Sequence, residues 1–213
     1  MSEFLEPISK RIFALLFVNY ESAFPDMKAR KIFLGIRIPA DVARRLATRM
    51  ESWKTLPLRL TKERNLHVTV LFVGFRGDED IATVVSRVTE ICPTFEMFDV
   101  VLNRIGFSPK DGEPVGTGNM IWFMGEESAE LLALSNRLEE ALDIATVPRK
   151  SFRPHITLAR VRREKWEALP EKPDMESSWR ALIPVSSLVL FESVFSKAEG
   201  LHYEVLEEFP LGE

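Results

Sequence analysis

Regular alternation of apolar and polar residues begins at Lys31. In KIFLGIRI, Ile32, Leu34, Ile36 and Ile38 share one face of a strand that Pro39 ends. Val42, Leu46, Met50 and Trp53 then recur at helical spacing, so ADVARRLATRMESW reads as an amphipathic helix closed by Pro57. An alternating run, LHVTVLFVG, follows and stops at Gly74. After Asp78, Ile81, Val84, Val85, Val88 and Ile91 form a 3.6-residue stripe and predict a second helix. Phe95 to Phe107 predicts a strand, and SPKDGEPVGTG a long loop. The order then restarts. MIWFM predicts a strand. SAELLALSNRLEEALDIA predicts a helix with Leu131, Leu134, Leu138, Leu142 and Ala145 on one stripe and Ser128 as N-cap. Pro148 ends it, and the alternating run PHITLARV follows. RREKWEALPEKPDMESSW reads as a linker, and two late strands are expected at about Val185 to Phe191 and Leu201 to Leu206.

The restart has a fixed spacing. Ile32 to His67 is 35 residues (67 − 32), and Met120 to His155 is also 35 (155 − 120). Strand, helix, strand thus occurs twice, which predicts an internal duplication. The fold class expected is α+β: a bilobal duplicated fold with two mainly antiparallel sheets flanked by helices. Related by an approximate twofold, the equivalent strands would lie side by side at a central cleft. Residues 1–30 fit this pattern poorly and are expected to be an extension. Residues 31–213 form one bilobal domain.

Within the repeat sits a shorter one: His67-Val68-Thr69-Val70, and His155-Ile156-Thr157-Leu158 88 residues later (155 − 67). Strand side chains alternate between faces, so each copy sets an imidazole and a hydroxyl on one face with aliphatic anchors behind. Two of the chain's three histidines are used this way. Paired imidazoles suit proton transfer at neutral pH, one as base and one as acid. Cleaving a P–O bond with water needs both, and threonine hydroxyls can bind the non-bridging oxygens. Arg160 lies five residues after His155, on the opposite face by strict alternation. It reaches the site only if the strand ends, twists or bulges. Arg149, Lys150 and Arg153 are further sources of positive charge.

Other features narrow the field. A net charge of −4 argues against sequence-blind coating of nucleic acid, though not against a local basic cleft. The single cysteine, Cys92, lies in a helical stripe and reads as a buried small hydrophobe. It allows no internal disulfide, and a cytoplasmic setting is expected. No apolar run reaches membrane-span length, and the longest near the N-terminus is Ile12 to Val18. No membrane partner is expected. A metal would need His202 as a third ligand, or a carboxylate such as Asp99; no H-x-x-x-H or C-x-x-C spacing exists, and no metal or cofactor is expected. His202 reads as a rim residue, and Trp122, in an apolar strand, as core. GEPVGTGN lacks the ending of a phosphate-binding P-loop.

These residues resemble the two-histidine phosphoesterase superfamily, and within it the LigT-like RNA 2′,3′-cyclic phosphodiesterases, also called 2′–5′ RNA ligases. The resemblance rests on KIFLGIRIP, NLHVTVLFVG, FRPHITLARV and LVLFESVFSKAEGLHYEVLEEFPL, together covering about Lys31 to Leu211. It implies a bilobal fold with a V-shaped cleft and metal-independent opening of a terminal 2′,3′-cyclic phosphate to a 2′-phosphate. It implies that His67 is the proton donor to the leaving 3′ oxygen and His155 the proton acceptor from water. Thr69, Thr157 and Arg160 are then the substrate-phosphate ligands. The implied partner is an RNA ending in a 2′,3′-cyclic phosphate, or a cyclic nucleotide, bound by a monomer. Rival functions keep the site but change its use: a small cyclic nucleotide or tRNA-splicing cyclic phosphate as substrate, 2′–5′ joining, or a nucleotide-binding module without catalysis. Pure binding does not require two imidazoles.

Overall fold

The computed structural model describes residues 29–109, 118–144 and 150–212. In chain order these form β1 (Arg30–Arg37), α1 (Ala40–Glu51), β2 (Leu58–Leu60), β3 (His67–Arg76), α2 (Asp78–Ile91), β4 (Phe98–Phe107) and β5 (Met120–Gly125). There follow α3 (Ala129–Ala141), β6 (His155–Val161), α4 (Arg163–Glu167), β7 (Ser177–Val185), β8 (Ser187–Ser196) and β9 (Gly200–Pro210). The expected run Ile12 to Val18, Ala145 and Arg149, and most of the loop after Phe107, lie outside the described residues.

The strands join in one antiparallel sheet of order β7-β4-β5-β6-β3-β1-β8-β9, with β2 added against β6. Read outward from the middle, the halves are β3-β1-β8-β9 and β6-β5-β4-β7. Each half thus opens with its His-x-Thr strand, followed by the strand that begins its repeat. The fold is the α+β arrangement expected, with helices flanking the sheet. The two expected sheets are continuous, joined at the pair Val68↔Ile156. That pair marks the local twofold. Because β3 and β6 run antiparallel through this pair, the two His-x-Thr motifs meet across it.

The core follows the stripes. Leu46 of α1, Val88 of α2 and Leu131, Leu134 and Leu138 of α3 are fully buried, with Val68, Val70, Ile156 and Leu158 beneath them. The Ser128 hydroxyl accepts from the Leu131 N–H at 3.2 Å and caps α3 as expected. Two helices cross over between the halves. In α1, between β1 and β3, Arg45 lies over the Trp179 ring of β7 at 4.8 Å, and Arg49 donates to Ser177 of the same strand at 2.7 Å. In α3, between β5 and β6, the Ser135 hydroxyl lies 3.4 Å from the Val70 carbonyl of β3. Each repeat therefore clasps the other.

The segment expected as a linker holds α4 and β7 instead. In β7, Ala181, Ile183 and Val185 point inward while Arg180, Leu182 and Pro184 face out. Pro184 is tolerated because β7 is an edge strand. No helix among the described residues is long and apolar enough to cross a membrane.

Candidate active site

Both His-x-Thr strands carry a β-bulge at the same place. Leu34 pairs with Leu71 and Gly35 with Thr69, so β3 spends two residues against one on β1. Likewise Ile121 pairs with Ala159 and Trp122 with Thr157. A bulge adds one residue and reverses the alternation beyond it. Burial shows the result: from the histidine onward both strands run intermediate, buried, intermediate, buried, buried, exposed. Beyond the bulge Arg160, not Ala159, shares the face of His155 and Thr157. Its counterpart in β3 is Phe72, 64% exposed.

The imidazoles are held alike. The His67 Nδ1 lies 2.7 Å from the Asn65 carbonyl, and the His155 Nδ1 lies 3.1 Å from the Arg153 carbonyl. A carbonyl only accepts, so each Nδ1 carries the hydrogen and each neutral ring keeps its lone pair on Nε2. The Thr69 hydroxyl, 2.9 Å from the His67 Nε2, then donates to it.

Their surroundings differ. His67 is walled by Phe33 at 4.9 Å, Tyr203 edge-on at 5.0 Å and Phe191 at 5.8 Å. Gly35 makes room for it. A Cβ there would lie 2.9 Å from the Val68 carbonyl oxygen and 3.4 Å from the His67 ring. Burial lowers the His67 pKa to about 4; the Asn65 carbonyl opposes this, and the charge of His155 adds to it. In the free protein His67 is therefore neutral near pH 7, and the two rings feel each other. His155 stacks on Trp122, centroids 3.7 Å apart and planes 17° apart. Trp122 thus belongs to the site face and not, as expected, to the core. Its buried indole Nε1 has no hydrogen-bond partner among the described residues.

Tyr203 links the walls to the basic residues. Burial raises its phenol pKa, while Arg160 and then Arg59 act against this. A cavity of about 890 Å³ opens beside His67, bordered by Arg37, Lys62, Arg64, Phe191 and Tyr203. Arg64 pairs with Glu199 at 3.3 Å, and Lys62 donates to the Glu199 carbonyl. Arg153 is drawn to Glu127 at 3.8 Å, and Lys150 is exposed. His202 lies on β9 between Glu199 at 3.7 Å and Glu204 at 3.3 Å, apart from the paired motifs. Asp99 pairs with Pro184 toward the sheet's far edge. Among the described residues no three His, Cys, Asp or Glu side chains are grouped to share a metal ion.

The structure sets the two histidines, two threonines and Arg160 singled out by sequence pattern on one face of adjoining strands, and adds Phe33, Phe191, Tyr203 and Trp122 around the rings, which sequence pattern did not single out for the site. The available signal was strand parity: Phe33 and Gly35 alternate with the core residues Ile32, Leu34 and Ile36.

Comparison with known proteins agrees with this geometry. The sequence profile of the 2′-5′ RNA ligase superfamily matches residues 38–192. An RNA 2′,3′-cyclic phosphodiesterase of Archaeoglobus fulgidus is 32% identical over 111 residues, covering 52% of this chain and 60% of that protein. One of Thermus thermophilus is 28% identical over 195 residues, covering 85% and 90%. Among solved structures, a Thermus thermophilus protein superimposes with a TM-score of 0.70 at 23% identity, covering 86% of this chain and 99% of its own. E. coli LigT complexed with 3′-AMP gives 0.67 at 21%, covering 87% and 100%. With its two halves meeting at the paired motifs, the chain belongs to the 2′-5′ RNA ligase superfamily, as a LigT-like two-histidine phosphoesterase.

Proposed function

We propose that the chain is a metal-independent RNA 2′,3′-cyclic phosphodiesterase, opening a terminal 2′,3′-cyclic phosphate to a 2′-phosphate. The relatives' names support the reaction class. The observation that carries the mechanism is the pair of imidazoles on adjoining strands, each with Nδ1–H tied to a backbone carbonyl so that Nε2 is the nitrogen that exchanges a proton. Water attacks phosphorus and gives its proton to the His155 Nε2. The P–O3′ bond breaks, and the His67 Nε2 delivers a proton to O3′. Solvent then resets both rings. Thr69, Thr157 and Arg160 bind the non-bridging oxygens, the Thr69 hydroxyl turning from His67 to phosphate.

The acid role of His67 needs the substrate. Its pKa of about 4 leaves it neutral in the free protein. An anion within about 4–6 Å raises an imidazole by roughly one to three units. The cyclic phosphate thus charges its own acid. The rate should follow a bell against pH whose limbs belong to the pair. The site is completed within one chain, which supports a monomer, and the lone cysteine supports a cytoplasmic setting.

The test is hydrolysis of 2′,3′-cyclic nucleotides and a cyclic-phosphate RNA, with and without chelator, with ³¹P identification of the product. Chelator should leave the rate intact, and the product should be the 2′-phosphate. His67→Ala and His155→Ala should each lower turnover by about 10²–10⁴-fold. A substrate with sulfur as the 3′ leaving atom needs little acid help. It should rescue His67→Ala and not His155→Ala; the opposite rescue would exchange the two roles.

A further inference from the structure

Arg59 of β2 pairs directly with Arg160 of β6, and both side chains are exposed on the site face. Like charges directly opposite across strands repel. Here neither guanidinium has a hydrogen bond or ion pair with any described residue, as is also true of the helix arginines Arg44 and Arg87; what sets Arg59 and Arg160 apart is that they face each other across neighbouring strands. Both arginines act on the Tyr203 phenol, which packs edge-on against His67. The β6 bulge is what turns Arg160 onto this face, and β2 is three residues long and, among the described residues, pairs with β6 alone. The pair therefore stands on the sheet face that carries His155 and Thr157.

We infer that Arg59 is a second anion ligand, binding the phosphodiester one nucleotide inside the chain end while Arg160 holds the cyclic phosphate. Two unpaired guanidiniums suit two phosphates better than one. Successive phosphates of a nucleic acid strand are spaced several ångströms apart, and directly paired residues on neighbouring strands offer two separate forks at comparable separation. The site would then prefer an RNA end to a mononucleoside cyclic phosphate. This rests on the phosphodiesterase proposed above and names its substrate class.

The experiment compares the full chain with Arg59→Ala, Arg59→Lys and Arg160→Ala. Kinetics are read on 2′,3′-cyclic AMP and on a trinucleotide ending in 2′,3′-cyclic phosphate. Binding is read in parallel, with salt dependence, for adenosine 2′-phosphate and for a trinucleotide ending in 2′-phosphate. Arg59→Ala should lower kcat/KM about tenfold on the trinucleotide and less than threefold on the mononucleotide. It should also reduce the trinucleotide's log–log salt slope by about 0.7, the loss of one single-strand phosphate contact. Arg59→Lys should keep most of the slope. Arg160→Ala should weaken both ligands. Equal losses on both substrates with Arg59→Ala would place Arg59 on the reacting phosphate and overturn the inference. Unchanged kinetics and slope would make it a spectator and do the same. If the wild-type protein hydrolyses neither substrate, the proposed reaction fails, while the salt slopes still decide where Arg59 binds.

Discussion

His67 shows how one side chain serves chemistry and stability at once. Its aromatic walls desolvate the ring and hold its pKa near 4 against an ordinary 6.5. Between those values the unfolded chain binds more protons than the folded one, so stability must fall as pH falls from about 6.5 toward 4. The full shift corresponds to roughly 3 kcal/mol. His67→Gln should flatten the slope of unfolding free energy against pH in that window, read from urea titrations. An unchanged slope would show that His67 is well solvated. Gly35 is the second residue to test. Its Cβ would press on the Val68 backbone carbonyl and the His67 ring, so Gly35→Ala should lower the urea midpoint and, in the fraction that stays folded, lower turnover more than tenfold. Little of this was legible beforehand. His-x-Thr parity shows which side chains share a face, but the enclosing rings of Phe191 and Tyr203 come from β8 and β9, more than 120 residues away. Burial also answers for Cys92: it raises the thiol pKa to about 12, which makes the side chain inert packing, as its stripe suggested.

At the scale of elements, helical stripes were the clearest part of the pattern, and β2 and β7 the poorest. α1, α2 and α3 lie where Leu46, Val88 and Leu134 place them, because a 3.6-residue stripe runs for three turns or more. β2 is too short to show alternation, and β7 buries mainly Ala181, Ile183 and Val185 while an apolar residue, Leu182, faces outward among them and blurs the pattern. Their partners lie far along the chain, and pairing, not local propensity, makes them strands. The bulges were anticipated only as a condition on Arg160. They matter because they deliver a charge to the face that strict alternation denies it. The cap of α3 offers a clean contrast. Ser128→Ala removes the acceptor for the Leu131 N–H and should cost about 1 kcal/mol in urea unfolding. The rate constant should not change, since the cap touches neither motif. A loss of turnover at constant stability would show that α3 positions the histidine strands through its packing on β3.

At the scale of the molecule, duplication was visible in spacing, while the clasp of helices was not. Equal distances of 35 residues mark two repeats, but only the sheet order shows them meeting at Val68 and Ile156, with α1 reaching β7 and α3 reaching β3. Crossing helices join the halves, so the angle between the His-x-Thr strands depends on both repeats. β1 begins at Arg30, one residue earlier than expected. Arg30 is tied down: its guanidinium binds Glu192 of β8 at 2.6 and 2.9 Å and reaches Asp78 at 3.4 Å. We propose that the catalytic domain starts here and that the preceding residues supply no catalytic group. Removing residues 1–26 should then leave turnover within about twofold and the unfolding midpoint nearly unchanged. Removing residues 1–30 should instead cost about 1–2 kcal/mol, because Glu192, largely buried, loses its partner. Arg30→Ala in the full chain should reproduce that cost without touching kcat. If the shorter truncation lowered kcat more than tenfold in a folded protein, the extension would have to line the cleft, and the boundary at Arg30 would be wrong.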